Sequence, residues 1–309
     1  LKHDEVVGVE MYTGQAAVTD FNGLFQGNFL RTAPNQSTLR ILLSHPDDRS
    51  MPSQAIVQTV RADLPTLSEA TVRFVEDPPG PPVLSTYRLG VFSDDRELRE
   101  DGAALLTGAV RNLEGVVDVD TTRQVEARDI SYRILSEKAE LLGVRESDIF
   151  EALRIMYGEA VVGTIHVADA GEEFPEERLL VLRVRDDDRD TASDLSALFV
   201  RGSQGTRVSL GDLVVTEEGK WPTRIQTEDY RSVEYVRAEM EGRSVVYAMI
   251  DTVRLLLDER RSPFGEQFDV VRWNLLGVTL QDLDTGQQLE VRFLGEWELT
   301  LEVFRDLGL

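Results

Sequence analysis

The sequence predicts an α+β fold, and three observations predict it. The first is a strand–helix–strand run from Tyr87 to Asp120, read as YRLGVFSDD, RELREDGAALLTGAVRNL and GVVDVDTTRQ. The second is a repeat of that plan from Ser232 to Phe293, with VEYVRAEMEG, then SVVYAMIDTVRLLLDERR, then FDVVRW or LEVRFLG. The third is the long stretch between them, which marks an insertion. Two βαβ units with right-handed crossovers share one sheet and place both helices on one face. The expected layer is therefore ferredoxin-like, with a guest α+β domain spliced into it.

Each element has its own signal. In the first helix the apolar stripe is read at Leu98, Leu105, Ala109 and Leu113; in the second it is Val245, Met249, Val253 and Leu256. The chain opens in the end of a helix, followed by the strand VVGVEMYTG. Residues 20–36, DFNGLFQGNFLRTAPNQ, read as a loop, yet they carry Phe21, Phe25 and Phe29 between glycines and asparagines. A loop with that much apolar weight packs on something or meets a ligand. The strand STLRILLS, the helix SMPSQAIVQTVRADL and the strand EATVRFVED follow. The prolines of PPGPP (78–82) fit neither a helix nor a central strand, so they read as a connector.

Within the insertion, EARDISYRI is a strand and SEKAELLGV a short helix capped by Gly143, followed by the helix ESDIFEALRIMYG. VVGTIHVAD and RLLVLRVRD are strands, TASDLSALFV is a helix running into a strand, and RVSLGDLVVTEEG closes the insertion. Residues 263–289 read as polar loop, and EVFRDLGL ends the chain in helical pattern.

Composition narrows the function. Fifty-six acidic against 33 basic residues give a formal charge of −23. Such a surface repels nucleic-acid phosphates and anionic head groups, so no nucleic-acid partner is expected. With no cysteine there is neither a disulfide framework nor thiolate chemistry. No apolar run is long enough to span a bilayer, and residues 1–10 do not read as a signal peptide. The way the chain begins and ends suggests a piece of something larger.

Several phrases, in order, resemble the resistance-nodulation-division (RND) efflux permeases. They are GVVDVDTTRQVEARDISYRILSEKAELLGVRESDIFEALRIMYGEAVVGT, then RVSLGDLVV, then GEWELTLEVFRDLGL. The likeness runs from about Val6 to Leu309 and points to the second large periplasmic loop, between membrane helices seven and eight. It implies a first porter subdomain at 1–83, lacking the family's initial strand and helix. It implies a second porter subdomain at 84–126 and 227–300, a docking subdomain at 127–226, and the approach to a membrane helix at 301–309. The implied function is proton-driven export of drugs or other small toxic compounds, as in multidrug and acriflavine resistance, without enzymatic chemistry or a cofactor. The implied setting is the periplasmic side of a bacterial inner membrane, reached through flanking helices. The implied partners are a cationic or amphiphilic small molecule, a periplasmic adaptor, an outer-membrane channel and two further copies in a homotrimer. Substrate would meet Phe21, Phe25 and Phe29 on a switch loop, and Asp118, Asp120 and Arg123 on the polar side of a cleft. Segments 78–86 and 123–127 would be hinges, and Trp297 and Arg305 would sit near the membrane surface.

Two alternatives stay open. One is a heavy-metal permease of the same fold. It would bind zinc or cobalt through carboxylates; copper or silver is disfavoured, because the five methionines (Met11, Met51, Met156, Met240, Met249) fall at helix or strand core positions rather than in a cleft. The other is a zinc-dependent N-deacetylase, suggested by His45-Pro46-Asp47-Asp48 with His166 as a further ligand. The competing account of that tetrapeptide is a turn whose Asp47 or Asp48 caps the next helix. The acidic runs 172–173, 176–177 and 186–188 read as solvated loops, because no calcium-loop spacing is present.

Overall fold

A computed structural model describes residues 3–33, 35–65, 67, 70–76, 83–123, 128–167, 176–185, 192–221, 224–258 and 260–308. In chain order the elements begin β1 (Val6–Thr13), α1 (Phe21–Phe25), β2 (Ser37–Leu43), α2 (Ser53–Asp63), β3 (Tyr87–Phe92), α3 (Arg96–Val110) and β4 (Val116–Thr121). Next come β5 (Arg128–Ile134), α4 (Ser136–Leu141), α5 (Glu146–Tyr157), β6 (Ala160–Val167), β7 (Glu176–Leu182), β8 (Phe199–Arg201), β9 (Arg207–Ser209) and β10 (Val214–Lys220). The chain then returns through β11 (Thr227–Glu228), β12 (Arg231–Met240), α6 (Val245–Leu257), β13 (Phe268–Asn274), β14 (Gly277–Asp282), β15 (Gln288–Gly295) and α7 (Glu296–Asp306).

The chain forms two compact units: residues 1–124 with 224–309, and residues 125–223. The larger is built on a seven-stranded antiparallel sheet in the order β11-β12-β3-β15-β14-β13, with β4 also on β12. The four strands β4-β12-β3-β15 and the helices α3 and α6 make the ferredoxin-like layer. Every second residue of the strands meets the helices. Leu89 and Val91, Val236 and Ala238, and Val291 and Phe293 form one core with Ala103, Leu106 and Val110 of α3 and Ala248, Met249 and Leu256 of α6. Tyr87 is buried in the same core, and its hydroxyl sits 2.7 Å from Thr252 Oγ1.

The stripe on α3 differs from the sequence reading. Leu98 and Leu113 pack against the core, but Leu105 is 47% exposed. The buried face is Arg99, Gly102, Ala103, Leu106, Thr107 and Val110. The reason is close approach: a Cβ on Gly102 would lie 2.8 Å from Leu289 Cδ2, so small residues must face the sheet. Arg99 is tolerated there because its Nη1 donates to the Ser93 carbonyl at 2.7 Å. The α6 stripe holds: Val245, Met249 and Leu256 are buried, and Val253 packs beside them.

Other differences are local. The chain enters β1 from a turn at residues 4–5 rather than from a helix end. Residues 20–36 contain α1 and a 3₁₀ turn, Asn28–Leu30. Residues 70–76 form no strand, because side-chain bonds rather than a neighbouring ladder hold their backbone. Residues 263–289, expected as loop, carry the β13–β14 hairpin, whose register closes at Asn274 opposite Gly277. Met11 lies on the outward side of β1 and is exposed, unlike Met156 and Met249, which are buried. The proline connector 78–82 and the acidic runs 172–173 and 186–188 lie outside the described residues.

The smaller unit has its own core of Ala139, Val144, Ile149, Leu195, Val200, Val208, Leu210, Leu213 and Val214. Gly143 ends α4 in the left-handed region, φ +67°, as its cap position requires. TASDLSALFV forms a 3₁₀ turn, Ala192–Ala197, before β8 rather than an α-helix. The acids 176–177 open β7 rather than a loop. Among the described residues no helix is long and apolar enough to cross a membrane.

Candidate functional site

The strand period that buries Val236 and Ala238 turns Arg237 and Glu239 to the opposite face of the sheet. That face is polar and holds the candidate site. β4 reaches it through a bulge: the β12 register shifts between Arg237 and Glu239, and Asp118 adopts φ +53°. A non-glycine residue there is strained, and the cluster around its carboxylate maintains it. Arg61, in the last turn of α2, donates through Nε to Asp118 Oδ1 (3.2 Å) and through Nη2 to Asp118 Oδ2 (2.7 Å). Its Nη1 reaches Glu241 Oε2 at 2.6 Å. The Phe74 amide also donates to Asp118 Oδ2 (3.1 Å), and the Arg61 guanidinium lies 5.1 Å from the centre of the Phe74 ring. One carboxylate thus ties α2 and residues 70–76 to the sheet.

Beside it, Arg237 Nη2 donates to Asp120 Oδ2 at 2.6 Å. Glu239 Oε2 accepts from the Thr86 hydroxyl (2.8 Å) and amide (3.4 Å). Burial pushes the Glu239 carboxyl above the ordinary range, although Thr86 and Arg73 pull it the other way. Burial likewise lowers Arg73, and neighbouring Arg237 adds to the effect. Arg31, at the end of the aromatic loop, is lowered by burial and then by Arg237, with Asp120 opposing. Three buried polar atoms here have no hydrogen-bond partner: Arg73 Nη1, Arg237 Nε and Glu239 Oε1. Buried polar atoms are normally bonded, so two donors and an acceptor left open at one place are what a water or a ligand group would complete.

Farther along the same face, arginines alternate with rings. Arg88 stacks 3.9 Å from the centre of the Tyr235 ring, while Arg231 and Arg292 lie 5.1 and 4.5 Å from that of Phe92. Arg231 and Arg292 share Glu290, at 2.6 and 2.9 Å. The Tyr235 hydroxyl, pushed up to about 12 chiefly by burial, donates to Glu228.

The residues singled out in the sequence are placed as follows. Asp118 and Asp120 lie in the polar cluster. Arg123 does not: its Nη2 turns to Asp101 on α3, at 3.5 Å. Phe21 and Phe25 pair edge to face with centroids 5.1 Å apart, and Phe21 is 68% exposed. Phe29 is also exposed. Asp20 holds this segment, accepting from the Gly23 amide (2.7 Å) and from Arg40 (2.7 Å). Trp297 packs against the core and donates to the Leu275 carbonyl, and Arg305 pairs with Asp306 on exposed α7. Arg31, Arg61, Arg73, Arg237, Glu239 and Glu241 were not singled out. Arg237 and Glu239 share strand parity in VEYVRAEM and were legible from it; Arg61 and Arg73 had no such signal.

His45 heads a 3₁₀ turn, Pro46–Asp48, and its Nδ1 accepts from the Asp47 amide at 3.4 Å. Neither Asp47 nor Asp48 caps α2, whose N-cap is Pro52, because the 3₁₀ turn takes up both residues. His166 lies on β6 of the smaller unit. Among the described residues no three His, Cys, Asp or Glu side chains group as a metal centre would need.

Comparison with known proteins agrees with this architecture. No curated protein sequence matches the chain significantly. Two crystal structures, described as crystal forms II and I of a heavy metal efflux pump, share the fold, with TM-scores of 0.57 and 0.56 and 16% identity each. They cover 99% and 98% of this chain, which spans only 28% and 29% of theirs. Residues 10–259 match the AcrB/AcrD/AcrF family. With residues 10–259 of its 309 matched, the chain belongs to the AcrB/AcrD/AcrF family of resistance-nodulation-division permeases.

Proposed function

We propose that this chain is the periplasmic porter and docking portion of a proton-driven efflux permease, and that substrate passes along the polar face described above. The carrying observation is the trio of unpartnered buried atoms on Arg73, Arg237 and Glu239. Arg31, which feels the charges of Arg237 and Asp120, stands just after the segment bearing Phe21, Phe25 and Phe29. In this reading the exposed rings receive the apolar part of a small organic molecule, and the open donors and acceptor receive its polar group. Asp118 and Arg61 keep α2 registered on the sheet while substrate moves. No covalent chemistry is required. The smaller unit docks to an outer-membrane channel through an adaptor, and three copies assemble in the membrane through flanking helices.

The similar structures are of a heavy metal efflux pump, which raises metal export as the second reading. The cluster favours an organic substrate, because Arg31, Arg73 and Arg237 repel a bare cation and the methionines are scattered: Met11 on β1, Met51 ahead of α2, Met156 on α5, and Met240 and Met249 against the main core. The test places Phe21→Ala with Phe25→Ala, and separately Arg73→Gln, in the full-length permease. Loss of export of organic dyes at normal expression, with zinc, copper and silver tolerance unchanged, is the expected result. Lost metal tolerance alone would reverse the assignment, and acetate release from N-acetylglucosamine that His45→Ala abolishes would replace it.

A further inference from the structure

The helix-bearing side of the sheet, away from the polar cluster, carries an open groove of about 690 Å³. That volume lies within the roughly 300–1,000 Å³ of small-molecule sites. Met249, Val253 and Leu257 of α6 and Phe293 of β15 line it, and Trp273 and Trp297 stand on its walls. The Trp297 indole N–H is already engaged by the Leu275 carbonyl at 2.7 Å, so that ring offers the groove only apolar surface.

The polar lining leaves donors open. Arg254, Asp258, Arg261 and Asn274 complete it. Arg254 pairs through Nη1 with Asp251 at 3.1 Å. Asp258 is occupied locally: its Oδ1 accepts from the Arg260 amide at 3.0 Å. Asn274 Oδ1 accepts from the Leu276 amide at 2.7 Å, which leaves its NH₂ to donate. Among the described residues the Arg261 guanidinium has neither an ion pair nor a hydrogen bond. On a chain of charge −23, this groove therefore presents one uncommitted guanidinium, Arg261, and one amide donor, Asn274, while Arg254 is spent on Asp251.

We infer that the groove binds a single-chain anionic amphiphile, with its hydrocarbon against Val253, Leu257, Trp273 and Trp297 and its carboxylate held by Arg261 and Asn274. Apolar burial supplies the affinity, and the charge-assisted bonds select the head group. The inference does not depend on the transport reading, because it uses other residues on the other side of the sheet.

Two of the protein's three tryptophans line the groove, and the third, Trp221, does not, so a bromine-bearing ligand reports occupancy by quenching. Bromododecanoate and bromododecyltrimethylammonium, both below their micelle concentrations, are titrated into the full 309-residue chain. The carboxylate should quench saturably, at least about ten-fold more tightly than the ammonium, as expected for one charge-assisted hydrogen bond. Trp221→Phe should keep the quenching, and Arg261→Glu should reverse the preference. Ile250→Gln lies at an exposed position on the rim and should weaken both ligands without changing the circular dichroism. Equal affinity for the two head groups, non-saturating quenching, or indifference to both the Arg261 and the Ile250 substitution would overturn the assignment.

Discussion

The two faces of the seven-stranded sheet are made by the same strands, one residue apart, and they solve opposite problems. On the helix side Leu89, Val91, Val236, Ala238, Val291 and Phe293 are nearly or wholly removed from water. On the other side Arg88, Arg237, Glu239, Glu290 and Arg292 are held by ion pairs, hydrogen bonds and ring contacts, while some of these side chains keep open atoms. The first face stabilises the unit and tolerates no change of volume. The second adds little net stability per ion pair and keeps unsatisfied groups, which is how a binding surface differs from a core.

The contrast is broken most sharply by Phe293→Ala. Cavity formation in the core should remove about 3–5 kcal/mol in chemical denaturation followed by tryptophan emission. A loss below about 1 kcal/mol would mean the helix face is not the stabilising one. Next is Asp118→Ala, which leaves the Arg61 guanidinium without its bidentate partner and should cost roughly 2–3 kcal/mol. Asp118→Gly should cost about 1 kcal/mol less, because glycine takes the observed positive φ without strain. Equal losses would show that the strain is not stored there.

Glu239 sharpens the comparison through pH. Its folded carboxyl is raised above the ordinary value of 4.5, so its favourable contribution is complete below that value and is lost as pH rises through the folded one. Glu239→Gln should therefore gain stability relative to the native protein between pH 4 and pH 7, seen as a widening Tm difference. A difference independent of pH would mean that Glu239 is ionised alike in both states. The smallest effect belongs to Arg231→Ala. Its pair with Glu290 is partly exposed, and about 1 kcal/mol or less is expected in the same denaturation assay.

Much of the layer was readable beforehand because its signals are local. Period-2 strands, a 3.6-period helix and a conspicuous gap between two like units need no knowledge of contacts. The α3 stripe was misread because the rule rewards large apolar residues, whereas Gly102 is the position that meets Leu289 and Val91 most closely. Residues 70–76 read as a strand from composition, yet what holds them is a hydrogen bond from the Phe74 amide to a carboxylate far along the chain. Arg123 stood beside Asp118 and Asp120 in sequence but turned toward α3.

What the sequence determined alone is the strand–helix–strand plan of the two like units, the split of the ferredoxin-like layer around its insertion, and the acidic charge, since each follows from residue type and spacing along one chain. The tertiary structure alone decided which charges meet. Arg61 finds Asp118 and Glu241, and Arg73 lies near Arg237 and Glu239 without a bond to either. Such pairings depend on loop paths and on a bulge in β4. Electrostatic contacts are set by ångströms between distant segments, and no period in the sequence encodes that distance.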